Sequence, residues 1–75
     1  MPRTMVKMSG KGDEVVAEYA PGVTSPERLA EIEKEFNEMI KNGYFAADIT
    51  DKKDEFIKKF DPNADILMIP AIRGG

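Results

Sequence analysis

The residues with the clearest chemical potential stand at the end of the sequence, which reads Ile72-Arg73-Gly74-Gly75. Because glycine has no side chain, this ending predicts a narrow, flexible tail that can enter a tight channel. Such a tail would present the Gly75 carboxylate to an activating enzyme, and adenylation would turn that carboxylate into an acyl electrophile. At average glycine usage, Gly-Gly ends a chain by chance in roughly one case in 200. The pair is therefore informative but not decisive.

Composition excludes most other chemistry. The sequence has no cysteine and no histidine, which rules out serine–histidine and cysteine–histidine nucleophiles, zinc fingers and thiol redox chemistry. The carboxylates that lie close in sequence are better explained as turn residues, since they lack the glycine and distant glutamate of a calcium-binding loop. They are Asp48, Asp51, Asp54, Asp61 and Asp65. We expect no catalytic residue, no metal site, no cofactor and no enzyme activity.

The charge balance argues against nucleic acid as a partner. Eleven basic and 14 acidic residues give a net charge of −3, whereas a nucleic-acid binder needs a basic surface to neutralise phosphates. The longest apolar run, residues 66–71, is too short to span a bilayer, and no signal peptide follows Met1. We expect a soluble, cytoplasmic protein.

The clearest secondary-structure element in the sequence is a central helix. Ser25 can cap it, Pro26 suits its first position, and Asn42-Gly43 suits its end. Apolar residues recur between these signals at spacings typical of one helical face: Leu29, Ile32, Phe36, Met39 and Ile40. The pattern predicts a helix over residues 26–42.

Alternating apolar residues predict strands on both sides of this helix. Residues 4–9 and 15–20 alternate around a glycine-rich turn, which predicts a β-hairpin. Residues 44–49 predict a third strand, and the apolar run 66–69 predicts a strand that is central or covered on both faces. Residues 51–60 fit a helix or a strand, and a turn at 51–54 favours a short strand over 55–60. A tight turn at 61–65 follows.

The predicted architecture is α+β, with a mixed sheet of four or five strands packed on one amphipathic helix in the order ββαβ(β)β. Residues 1–70 form a single domain and residues 71–75 form the tail. We expect the four phenylalanines to lie in the core, since a small domain needs its aromatic area inside. Tyr19 and Tyr44 are expected to be half-buried.

Element order and tail together resemble the β-grasp fold of the ubiquitin-like proteins. The acidic turn 61–65, the apolar strand, Pro70, a small linker and Gly74-Gly75 follow the order found in the prokaryotic sulfur carriers. The ending is also similar to that of ubiquitin and of the archaeal small modifiers. The helix is longer than in most sulfur carriers, and an Asp-Pro turn replaces the usual glycine-containing turn. No hydrophobic patch of the ubiquitin type can be mapped from the sequence.

This resemblance implies that an E1-like enzyme adenylates Gly75 with ATP. The product would be a thiocarboxylate for delivery to a sulfur acceptor, or an isopeptide on a target protein, and the sequence leaves both open. Gly74 would supply clearance, while Pro70, Ile72 and Arg73 would aim the tail and contact partners. The protein is expected to be a monomer.

A non-conjugated interaction module of the same fold is the main alternative. In that case Gly74-Gly75 is a passive end. Contacts would be made by an exposed sheet edge, or by the region around Met5 and Met8, because unpaired strand edges recruit further strands.

Overall fold

The computed structural model of the protein describes residues 2–71, and within them five strands and one α-helix form a two-layer α+β unit. The elements are β1 (Arg3–Ser9), β2 (Gly12–Tyr19), α1 (Pro26–Lys41), β3 (Tyr44–Asp48), β4 (Glu55–Ile57) and β5 (Ile66–Pro70). A single 3₁₀ turn, Thr50–Lys52, lies between β3 and β4. The predicted class, one helix on a mixed sheet, is confirmed.

Local sequence signals set the ends of α1. The Ser25 hydroxyl accepts a hydrogen bond from the Arg28 N–H, and Pro26 occupies the first turn, where a missing N–H costs nothing. The helix ends at Lys41, one residue before the predicted end, with Asn42 as the C-cap. Gly43 follows at φ 100°, a left-handed conformation that glycine adopts without strain.

The five strands form one sheet in the spatial order β2-β1-β5-β3-β4. β5 lies at the centre, parallel to β1 and antiparallel to β3, so the prediction of a central position for this apolar run is confirmed. β1 and β2 form the predicted antiparallel hairpin, which contains an irregularity between Met5 and Val6. β2 and β4 are the two edges.

Residues 51–60 contain a strand and no α-helix, as the turn signal favoured. The strand is shorter than predicted, because β4 covers only Glu55–Ile57. The chain before it makes a tight reversal in which three non-glycine residues, Asp51, Lys52 and Asp54, have φ between 50° and 65°. The predicted turn before β5 is present, with the Ala64 N–H donating to the Asp61 carbonyl.

The core lies between α1 and the sheet face that α1 covers. Its fully buried side chains are Tyr19, Phe36, Met5, Ile32, Ile66 and Met68. Phe60 packs against Tyr19 edge-to-face, with ring centroids 5.2 Å apart, and against Phe36 at 5.9 Å. Edge-to-face geometry is favourable because the ring edge carries the positive end of the quadrupole.

Three burial predictions are wrong. Phe45 is 56% exposed and Phe56 is 76% exposed, because successive side chains of a strand point to opposite faces and one helix covers only one of them. Tyr19 is only 2% exposed, since its hydroxyl finds a partner inside the protein. Met5 is fully buried, whereas Met8 is 41% exposed, so only Met8 of the region that the interaction-module hypothesis named is available for contact. Tyr44 is half-buried, as expected.

Candidate functional site

Of the site residues predicted from sequence, one lies within the described chain. Pro70 is the last residue of β5 and pairs with Tyr44 of β3. Ile72, Arg73, Gly74 and Gly75 lie outside the described residues. The described chain reaches Ala71, whose Cβ lies 4.0 Å from the position that a Cβ would occupy on Gly43. The site is therefore built from the elements that surround the end of β5.

The beginning of β5 is held by hydrogen bonds around Asp65. This carboxylate accepts the Thr4 N–H at 2.9 Å and lies 3.3 Å from the Arg3 guanidinium. The backbone of Asp65 accepts the Ile49 N–H, and its own N–H donates to the Thr50 hydroxyl at 2.9 Å. These bonds connect the turn before β5 to β1 and to the end of β3. They fix where β5 starts.

The Tyr19 hydroxyl supports the same turn from inside. It donates to the Ala64 carbonyl at 2.7 Å and also lies 3.5 Å from the Thr4 carbonyl. Burial, reinforced by the negative charge of Asp65, raises the pKa of Tyr19 far above its usual value. Tyr19 is therefore a neutral structural group with no exposed reactive oxygen.

Asp48, at the end of β3, is buried and hydrogen-bonded. Hydrogen bonds from the Thr50 side chain and from its N–H, the latter 2.9 Å long, lower the pKa of Asp48 below its ordinary range. The charged carboxylate thus ends β3 by accepting from the chain two residues on, in the manner of an Asx turn. Both perturbed groups are explained by this structural role.

An exposed aromatic pair lies on neighbouring strands beside the end of β5. The rings of Phe45 on β3 and Phe56 on β4 have centroids 6.2 Å apart and an interplanar angle of 61°. Two large apolar side chains placed together in solvent are unusual for a surface that has no partner. We call these two residues the aromatic pair.

A concave apolar groove of about 450 Å³ adjoins the aromatic pair. We call it the β3 groove. It is lined by Ile40, Gly43, Tyr44, Phe45, Ala46, Phe56, Ile57, Lys58 and Ala71. In the part of the chain that the structure describes, Lys58 is the single charged residue in this lining, and the rest of the lining is apolar apart from the Tyr44 hydroxyl and the backbone. The groove thus connects the end of α1, the edge of β3 and the last described residue of the chain.

Sequence reasoning missed the aromatic pair because it assigned every phenylalanine to the core. The available signal was the two-residue period. Phe45 alternates with Ala46 along β3, and a single amphipathic helix leaves one face of a sheet uncovered. That signal indicates that half of the strand aromatics are exposed.

Other site types find no support within residues 2–71. No three carboxylates come together in a group that could hold a metal ion. The α-helix lacks the length and the apolar character needed to cross a bilayer. Comparison with protein-family models, curated proteins and solved structures finds no match to this chain.

Proposed function

We propose that this chain is a ubiquitin-like β-grasp protein that an E1-like enzyme activates at the Gly75 carboxylate. The observation that carries the proposal is the central position of β5, between β1 and β3. Because β5 is held by a neighbouring strand on each side, the residues that follow it would leave the domain from a fixed position. The tail residues Pro70, Ile72 and Arg73 would then be aimed from that point into a partner.

The proposed chemistry needs only the carboxylate and the absence of side chains. A Gly75 carboxylate oxygen attacks the α-phosphorus of ATP, pyrophosphate leaves, and an acyl-adenylate forms. Hydrosulfide or a lysine amine then attacks the carbonyl carbon, loses a proton and displaces AMP, giving a thiocarboxylate or an isopeptide respectively. Gly74 keeps the approach to that carbonyl clear. The chain supplies an activated acyl group and is itself no enzyme.

The aromatic pair supports this proposal as a docking surface for the activating enzyme. Exposed aromatic residues commonly form the centres of protein interfaces, and this pair adjoins the same groove as Ala71. An enzyme that held the aromatic pair would receive the tail from the neighbouring end of β5. Binding and activation would then use adjacent parts of one surface in a monomer.

The test compares two glycine variants in the native host. Gly75→Ala is expected to abolish covalent products, since a Cβ crowds the attacked carbonyl. Gly10→Ala is the matched control, because a Cβ there meets nothing within 4 Å and needs no positive φ. Both variants are expected to melt like the wild type.

Mass spectrometry of the recovered protein gives the readout. A mass that shows sulfur in place of one oxygen of the C-terminal carboxylate identifies a sulfur carrier. Gly-Gly remnants on target lysines, left by trypsin cleavage after Arg73, identify a modifier. A free carboxylate on every wild-type molecule would contradict the proposal.

The exposed aromatic pair also favours a second candidate, a non-conjugated interaction module. In this case the aromatic pair binds a partner and Gly74-Gly75 takes no part. Deleting the two glycines distinguishes the candidates, because it leaves partner binding and cellular function intact only for the interaction module.

A further inference from the structure

β3 has an open edge at its beginning. Its five residues all pair with β5, but only Ala46, Ala47 and Asp48 pair with β4. Within residues 2–71, Tyr44 and Phe45 thus have no strand neighbour on the β4 side. An open strand edge can accept an extended segment by backbone hydrogen bonding.

The β3 groove lies along this open edge and is suited to apolar side chains. In a strand added beside β3, successive side chains would point to opposite faces. The side chain opposite Tyr44 would enter the groove on the helix side, towards Ile40 and Ile57. The next side chain, opposite Phe45, would lie on the outer face against the aromatic pair.

The charge of the groove lining indicates which type of residue would flank the apolar residues of such a segment. Among residues 2–71, Lys58 is the one charged residue of the groove lining, so a carboxylate is favoured at that end. The groove is therefore apolar along its length and cationic at one end.

We propose that the β3 groove binds an extended peptide segment of a partner protein, consisting of two adjacent apolar residues and an acidic residue placed beside Lys58. The open edge supplies backbone pairing, the groove and the aromatic pair hold the apolar side chains, and Lys58 contacts the carboxylate. This inference concerns recognition alone and does not depend on activation of Gly75.

The first experiment selects binders from a random peptide library displayed on phage, with the full-length chain as bait. The expected peptides carry two adjacent apolar residues next to Asp or Glu. With Lys58→Glu as bait, the acidic position is expected to become Lys or Arg. The matched control Lys11→Glu makes the same charge change on the hairpin and should select the wild-type motif. No enrichment, or a motif unaffected by Lys58→Glu, overturns the proposal.

The second experiment measures affinity of one selected peptide by fluorescence anisotropy. Phe56→Ser is expected to weaken binding roughly tenfold. Val15→Ser, at a position on β2 that is 60% exposed, should change it by less than about twofold. Scanning N-methylation of the peptide tests backbone pairing, and at least one position should lose roughly tenfold. Tolerance at every position overturns strand addition.

Two further controls separate this inference from its competitors. Binding measured with Gly75→Ala must equal wild-type binding, so failure of the activation chemistry leaves this result standing. Sedimentation of the free protein tests for a second copy in the groove. A monomer–dimer equilibrium that Phe56→Ser abolishes would assign the groove to self-association and overturn the peptide proposal.

Discussion

At the scale of single residues, two titratable groups hold the turns on either side of the sheet centre. Tyr19 donates from the core to the Ala64 carbonyl, and Asp48 accepts at the end of β3. Both have perturbed pKa values, in opposite protonation states: the tyrosine is kept neutral and the aspartate is kept charged. Each therefore links folding stability to pH, at opposite ends of the scale.

Tyr19→Phe should lower the free energy of unfolding by about 1–2 kcal/mol at neutral pH, because the buried Ala64 carbonyl loses its partner. Since the folded pKa is raised, the contribution of Tyr19 is present below about pH 10 and is lost as pH rises through the folded value. Urea unfolding across alkaline pH measures both effects. Tyr44→Phe, at a half-buried position, is the control and should change stability by less than about 0.5 kcal/mol.

Asp48→Asn should lower the urea midpoint at pH 7, because the amide is a weaker acceptor than the carboxylate. The folded pKa lies below the ordinary one, so the stabilisation is present above about pH 4 and is lost as pH falls through the folded pKa. The difference from wild type should therefore shrink in acid. Asp13→Asn, in the exposed hairpin, is the control, and an equal effect from that variant would contradict the role of Asp48.

At the scale of elements, the end of α1 determines the start of β3. The helix stops at Lys41, and after two intervening residues the chain enters β3 at Tyr44. Gly43 makes this direct change of direction through its φ of 100°. Because the β3 groove begins at Gly43 and Tyr44, the same turn also forms one end of the candidate binding surface.

Gly43→Ala should destabilise the fold by about 1 kcal/mol, since alanine is strained at a left-handed φ. The added Cβ would make only an ordinary contact, 4.0 Å from the Ala71 Cβ, so the cost is conformational. Chemical denaturation of Gly43→Ala and Gly10→Ala provides the comparison. Equal stabilities for the two variants would show that the turn does not need glycine at position 43.

At the scale of the whole molecule, the order β2-β1-β5-β3-β4 makes β5 indispensable for folding, because it is the central strand. β5 joins the hairpin to the β3–β4 pair, and the described strand ends at Pro70. We therefore expect the fold and the proposed chemistry to be separable along the chain.

Deletion of residues 72–75 should leave the free energy of unfolding within about 0.5 kcal/mol of wild type. Deletion of residues 68–75 should prevent cooperative folding, because Met68 is fully buried and the centre of the sheet would be broken. Circular dichroism melts measure both. A large loss of stability on removing 72–75 would place those residues in the folded core and contradict the predicted boundary at residue 70.

Sequence reasoning succeeded where the determining interactions are local. The Ser25 cap, the proline after it and the glycine after Asn42 all act within a few residues, and the apolar run of β5 indicates its central position directly. It failed where the partner lies far along the chain. The burial of Tyr19 depends on a carbonyl 45 positions away, and no local pattern contains that information.

The candidate site shows the same division. The carboxylate and the glycines of the tail can be identified directly from the sequence. The β3 groove cannot, because it arises where β4 ends opposite Ala46 and does not reach the first two residues of β3. A mismatch in strand lengths becomes visible only when the register between the two strands is known.

The pairing of β1 with β5 has a consequence for biosynthesis. β1 is the first strand to leave the ribosome and β5 is the last of the five, so the middle of the sheet cannot close while β5 is still inside the exit tunnel. Until β5 pairs, the apolar faces of the hairpin and the helix stay uncovered and can contact chaperones or other nascent chains. Each new molecule therefore completes the centre of its sheet only after β5 has left the tunnel.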